Sequence, residues 1–109
     1  MLLHPDEGER VRQHRVLVEL PQIEAFELRF GPDFTVDPHT HADHADSFYV
    51  LAGEVDFTLG DSEARAVPGT WYSAPPGFRH GFRNPGPGRA RVLNVHTPDG
   101  GFTRRVRGG

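Results

Sequence analysis

The chain has 109 residues, a net charge of −3, no cysteine and no lysine, so its twelve basic residues are all arginine. This composition excludes disulfides, thiolate catalysis, cysteine-type zinc sites and Schiff-base chemistry on a side chain. Its mildly acidic balance argues against nucleic-acid binding. The length suggests a single domain over residues 1–109, burying roughly 60–70% of the surface that its unfolded chain exposes. No apolar run approaches the ~18 residues of a membrane span. Residues Met1 to Glu7 lack the basic and long apolar parts of a signal peptide. The expectation is a cytoplasmic protein that meets no membrane.

Thirteen glycines and ten prolines are spread along the chain and favour short strands joined by turns. Residues 1–10 are polar and expected to be frayed. From Val11 to Leu20, Val16, Val18 and Leu20 recur with period two and predict a strand. A second strand follows Pro21, with Phe26, Leu28 and Phe30 alternating with Glu27 and Arg29. Gly31-Pro32-Asp33 is a turn, and Phe34 to His41 runs extended. Phe48 to Leu51 is an apolar β run ended by Gly53. Val55, Phe57 and Leu59 then alternate with Glu54, Asp56 and Thr58 on a half-buried strand. Ala64 to Val67, Thr70 to Ala74, Phe78 to Arg83 and Arg89 to His96 are further strands, separated by Gly60-Asp61-Ser62, Pro68-Gly69, Pro75-Pro76-Gly77 and Asn84 to Gly88. A short segment, Phe102–Val106, follows, and 104–109 is expected to be flexible. Nine or ten short strands without a helical period mean an all-β sandwich or barrel.

The stretch from Asp37 to Gly53 carries the chemistry. His39 and His41 are two apart, so on an extended strand they share a face, with Cα atoms roughly 7 Å apart. Asp46 opens the following β run. Two imidazoles and a carboxylate form a first-row transition-metal set. Downstream, Gly69, Pro75, Gly77, His80 and Asn84 recur with five, one, two and three residues between them.

Together the two stretches resemble the motifs of the cupin superfamily, whose fold is a jelly-roll, or double-stranded β-helix, barrel. Every marked position of the second motif fits. In the first motif His39, His41 and Gly53 fit, but Asp33 stands at the leading glycine and Asp46 stands where the family has glutamate. The resemblance covers residues 31–97. It implies that His39, His41, Asp46 and His80 hold one divalent metal inside the barrel. Three imidazoles and one carboxylate suit Fe, Mn, Ni, Cu or Zn. Asp46 is one methylene shorter than glutamate, which leaves direct ligation, ligation through water, or replacement by His44 as alternatives for the fourth place.

His96 lies on the last strand with Asn94 on the same face, where both would orient a substrate or a ligand imidazole if that face is inward. Tyr49, Trp71, Tyr72 and the phenylalanines are read as core rather than pocket. The resemblance leaves activity open, because one fold hosts many functions. The leading reading is a dioxygenase-like, metal-dependent enzyme acting on a small organic molecule, with Asp46 and His96 as catalytic residues. A metal-assisted isomerase, lyase or cyclase fits the same residues. A non-catalytic binding or sensing domain and a metal-free epimerase-type cupin are the other classes. The unpaired edge expected along Val11 to Leu20, together with the resemblance, suggests a homodimer.

Overall fold

In the computed structural model, which describes residues 1–108, the chain is all-β apart from one C-terminal helix. Ten strands form: β1 (Arg10–Val11), β2 (His14–Leu20), β3 (Ile23–Phe30), β4 (Thr35–His39), β5 (Ala45–Ala52), β6 (Val55–Leu59), β7 (Ser62–Ala66), β8 (Trp71–Ala74), β9 (His80–Arg83) and β10 (Ala90–Thr97). They build two antiparallel sheets facing one another. One has six strands in the order β1-β2-β3-β10-β5-β8, the other four in the order β4-β9-β6-β7. This is the double-stranded β-helix expected from the motif pattern.

The even positions of β3, β10 and β5 face inward, as period-two alternation requires. Phe26 stands opposite Asn94 and Asn94 opposite Phe48, while Leu28, Val92 and Val50 form the next row. Phe57 and Val55 of β6, Ala66 of β7 and Phe82 of β9 close the core from the other sheet. Phe30, Phe34, Phe48, Phe57 and Phe82 interleave with ring centroids 5.1 to 6.3 Å apart. The apolar core fills one end of the barrel and leaves the other to polar residues.

Three local readings are corrected. The strand expected from Val11 to Leu20 is a hairpin, because Arg12 takes a left-handed turn (φ 56°) that folds β1 back on β2. The loose tail expected over 104–109 is instead a helix, α1 (Phe102–Gly108); Gly109 lies outside the described residues. At seven residues α1 is too short to stand by propensity alone. Its tertiary anchors are Phe102 against His14 and Phe26, Arg107 on Glu9 and Glu19, and Arg104 on Asp99. Finally, Tyr49 and Trp71 are not core: they lie on the outer face of the six-stranded sheet, 38% and 55% exposed. Asp46 and Phe48 point inward, so Tyr49 must point out.

Candidate metal centre

Two cross-strand rows, one from each sheet, meet at the polar end of the barrel. In the four-stranded sheet His39 stands opposite His80, and His80 opposite Leu59. In the six-stranded sheet Glu24 of β3 stands opposite His96 of β10, which stands opposite Asp46 of β5. Residues directly opposite share a face, so both rows point into the barrel. His41 joins them from the segment just after β4, whose backbone is held by Gly77, donating its N–H to the His41 carbonyl at 2.6 Å.

One ligand atom from each of His39, His41, Asp46 and His80 lies within 4.8 Å of the others. Nε2 of His39 and Nε2 of His41 are 3.1 Å apart, and Nε2 of His80 is 2.9 Å from Oδ2 of Asp46. Bonds of about 2.1 Å set at right angles place neighbouring donors about 3.0 Å apart. Two edges of the set therefore already have the length that a bound transition ion requires. The 3.5 Å from His41 Nε2 to Asp46 Oδ2 is a wider edge of the same polygon.

The donor atoms are also aimed. His39 Nδ1 donates to the Asp37 carbonyl at 2.8 Å and His80 Nδ1 to the Phe78 carbonyl at 2.9 Å. Each bond fixes the ring and turns Nε2 inward, the usual support for a ligating imidazole. Asp46 is steered in the same way. Its Oδ1 receives Asn94 Nδ2 at 2.6 Å and lies 3.4 Å from His96 Nε2, which leaves Oδ2 facing His80 and His41.

The electrostatics follow from burial. Burial works to raise the Asp46 carboxyl, but hydrogen bonds from His41, His80 and His96 outweigh it and hold the group well below the usual carboxylate range. Burial works to lower His80 and His96, and Asp46 outweighs it, raising both. His39, with less compensation, is lowered by burial. Asp46 is therefore ionised, and a carboxylate beside three imidazoles is a donor set that could hold a transition ion.

The residues that the sequence singled out fall as follows. His39, His41, Asp46 and His80 converge. Oδ2 of the shorter Asp46 side chain lies 2.9 Å from Nε2 of His80. His44, the alternative for the fourth place, is outside the set and is not the exposed turn residue its neighbours suggest. It is 3% exposed, stacks on His41 with centroids 4.2 Å apart, and turns Nδ1 to Asp43. Gly100 packs so closely on it that a Cβ there would lie 2.7 Å from its Nε2. His96 and Asn94 do face inward. On the opposite parity of β10, Arg91 pairs with Glu27 on the outer face of the sheet. Sequence reasoning missed Glu24 and His14. The available signal was a charged residue on the inward parity of β3, two before Phe26.

Three of the four donors open onto a cavity of about 130 Å³. His39, His41, Asp46, Asn94 and His96 line it, with Leu28, Phe34, Val36, Phe48 and Phe82 as its apolar wall and His14, Phe102 and Arg105 completing it.

Comparison with known proteins follows the same outline. The family model described as Cupin domain matches residues 26–96. No curated protein matches the chain. Among solved structures the chain is similar to KdgF from Halomonas sp., with 24% identity over 89% of this chain and 90% of that one and a TM-score of 0.77. It is also similar to a conserved protein with a double-stranded β-helix domain from Klebsiella pneumoniae, at 24% identity, 90% and 80% coverage and a TM-score of 0.74. A third neighbour is TT1209 from Thermus thermophilus, at 26% identity, 83% and 90% coverage and a TM-score of 0.72. Likeness at this level carries the fold and no activity.

Proposed function

The chain belongs to the Cupin domain family, and from that premise we propose that it is a metal-dependent, oxygenase-type enzyme acting on a small organic molecule held in the barrel. The observation that carries the proposal is the four-donor set, three of whose members, His39, His41 and Asp46, line a cavity. A site meant only to brace the fold would have no reason to face a cavity. His39, His41, His80 and Oδ2 of Asp46 would hold one divalent ion of the Fe, Mn, Ni, Cu or Zn group. Bound there, it would supply Lewis acidity and, if redox-active, an electron route between substrate and dioxygen.

The chain's own residues supply the rest. The wall of Leu28, Phe34, Val36, Phe48 and Phe82 excludes water and favours a substrate with an apolar body. Asn94 and His96 hold the ligand carboxylate. His96, placed between Glu24 and Asp46 and lining the cavity, holds a proton at Nε2 within reach of a bound molecule. Asp46 is assigned as a ligand because Asn94 and His96 take up Oδ1 and leave Oδ2 facing His80 and His41.

Oxygen uptake by Fe(II)-loaded protein with catechols, diketones and flavonols tests the reaction class. Uptake that depends on both metal and substrate is expected. Substrate consumption without uptake would instead mean an isomerase, lyase or cyclase. The mostly apolar wall also suits a binding or sensing domain, which would show saturable ligand binding and no turnover.

A further inference from the structure

We infer that Glu24 is a positioning residue for the Asp46 carboxylate, acting through His96, and that its second oxygen makes helix α1 part of the same unit. The inference rests on the metal reading of the site and goes beyond it. Both Glu24 and Thr103 lie outside the family segment, residues 26–96, so their pairing is a feature of this chain's flanks.

Glu24 is 0% exposed. A carboxylate buried to that degree is costly unless its oxygens find donors. Each of the two has one. His96 Nδ1 donates to Oε1 at 2.8 Å, and the Thr103 backbone N–H donates to Oε2 at 2.8 Å. The inward position of β3 that it occupies would otherwise take an apolar residue, like Phe26 and Leu28 beyond it.

The row across β3, β10 and β5 transmits this contact. Ring orientation in histidine and carboxyl rotation in aspartate are soft torsions, set by partners rather than by intrinsic preference. Glu24 fixes the His96 ring from the Nδ1 side, which aims Nε2 at Oδ1 of Asp46, 3.4 Å away. Asn94 fixes the same oxygen at 2.6 Å. With Oδ1 held from two directions, Oδ2 presents a single lone-pair direction to His80 and His41. Phe26 and Phe102 close on His96 with their rings, at centroid distances of 5.5 and 6.4 Å. Docking of α1 and aim of the ligand carboxylate therefore depend on one buried anion.

The test titrates the full-length, metal-free chain with Co²⁺, following its d–d absorption and its dissociation constant. Glu24→Gln keeps the side-chain size but sets an NH₂ against either His96 Nδ1–H or the Thr103 N–H. Co²⁺ affinity is expected to fall about 10–100-fold with a shifted d–d band. Glu24→Asp keeps the charge, cannot reach both donors, and is expected to lose affinity to a smaller degree; it keeps the test alive if the Gln variant does not fold. Arg107→Ala removes the exposed pairs of α1 with Glu9 and Glu19 but keeps the helix docked through Thr103 and Glu24, so it should bind Co²⁺ within about twofold of wild type. Wild-type affinity and an unchanged band in folded Gln or Asp variants, even with a lowered Tm, would overturn the inference and leave the metal reading intact. Failure of the wild-type chain to bind Co²⁺ would overturn both.

Discussion

Asp46 shows how one side chain can decide what a site holds. It is the one acid among the four converging donors, and the imidazoles of His41, His80 and His96 lie against its charge. Asp46→Asn keeps the shape and removes the charge. Divalent-metal affinity at neutral pH should drop by more than about a hundredfold, read by Co²⁺ titration, and a drop of less than about threefold would contradict the assignment. His14 sets a second test. Burial among rings pushes its imidazole down to about 4 from an ordinary 6.5. Between those values the unfolded chain binds a proton that the folded chain refuses, so stability falls as pH drops through that window. Discounted for partial exposure, the loss is about 2 kcal/mol. Urea unfolding at pH 7 and pH 4.5 should show a smaller pH-dependent loss in His14→Leu than in wild type; equal losses would contradict a neutral buried His14.

At the scale of elements, the sheets do the positioning. His39 and His41 were legible as a pair because two residues on a strand share a face. His80 was legible because its spacing from Gly69, Pro75 and Gly77 completes a turn-rich motif. Glu24 was not legible, because its meaning arises across three strands, and its partner Thr103 lies 79 residues away. Helix α1 escaped because seven residues carry no helical period. Asp99 just upstream and Arg105 and Arg107 in the last turn were the available hints. The outward turn of Tyr49 follows from parity once Asp46 is known to face inward. The backbone sets its own demands at Gly53, where φ is 79° and a Cβ would meet the Arg89 carbonyl oxygen at 2.5 Å. Gly53→Ala should destabilise the fold by about 2 kcal/mol or more, measured by denaturant unfolding. A change under about 0.5 kcal/mol would mean that this turn is looser than described.

For the molecule as a whole, the barrel divides into an apolar end that stabilises and a polar end that can act. Arg15, Arg29 and Arg91 converge on Glu27 outside the six-stranded sheet, so that face is braced by ion pairs rather than by a second layer. No helix of the described residues is long and apolar enough to cross a membrane. The outer edge of β2 is covered opposite His14 and Arg15 by β1 and at Val16 by the Glu9 carbonyl, and Leu20 at its far end is 52% exposed. An open edge of this kind invites pairing with a second copy, and we expect a homodimer. Equilibrium sedimentation at micromolar concentration should show twice the chain mass, and a single-chain species alone would contradict it.

One transition ion is expected where the rows of the two sheets meet. The most direct test is an anomalous difference map from crystals of the untagged chain soaked in Co²⁺ or Mn²⁺, collected at the metal edge. One peak about 2.1 Å from Nε2 of His39, His41 and His80 and from Oδ2 of Asp46 is the predicted result. Peaks only at surface carboxylates, or none inside the barrel, would contradict it.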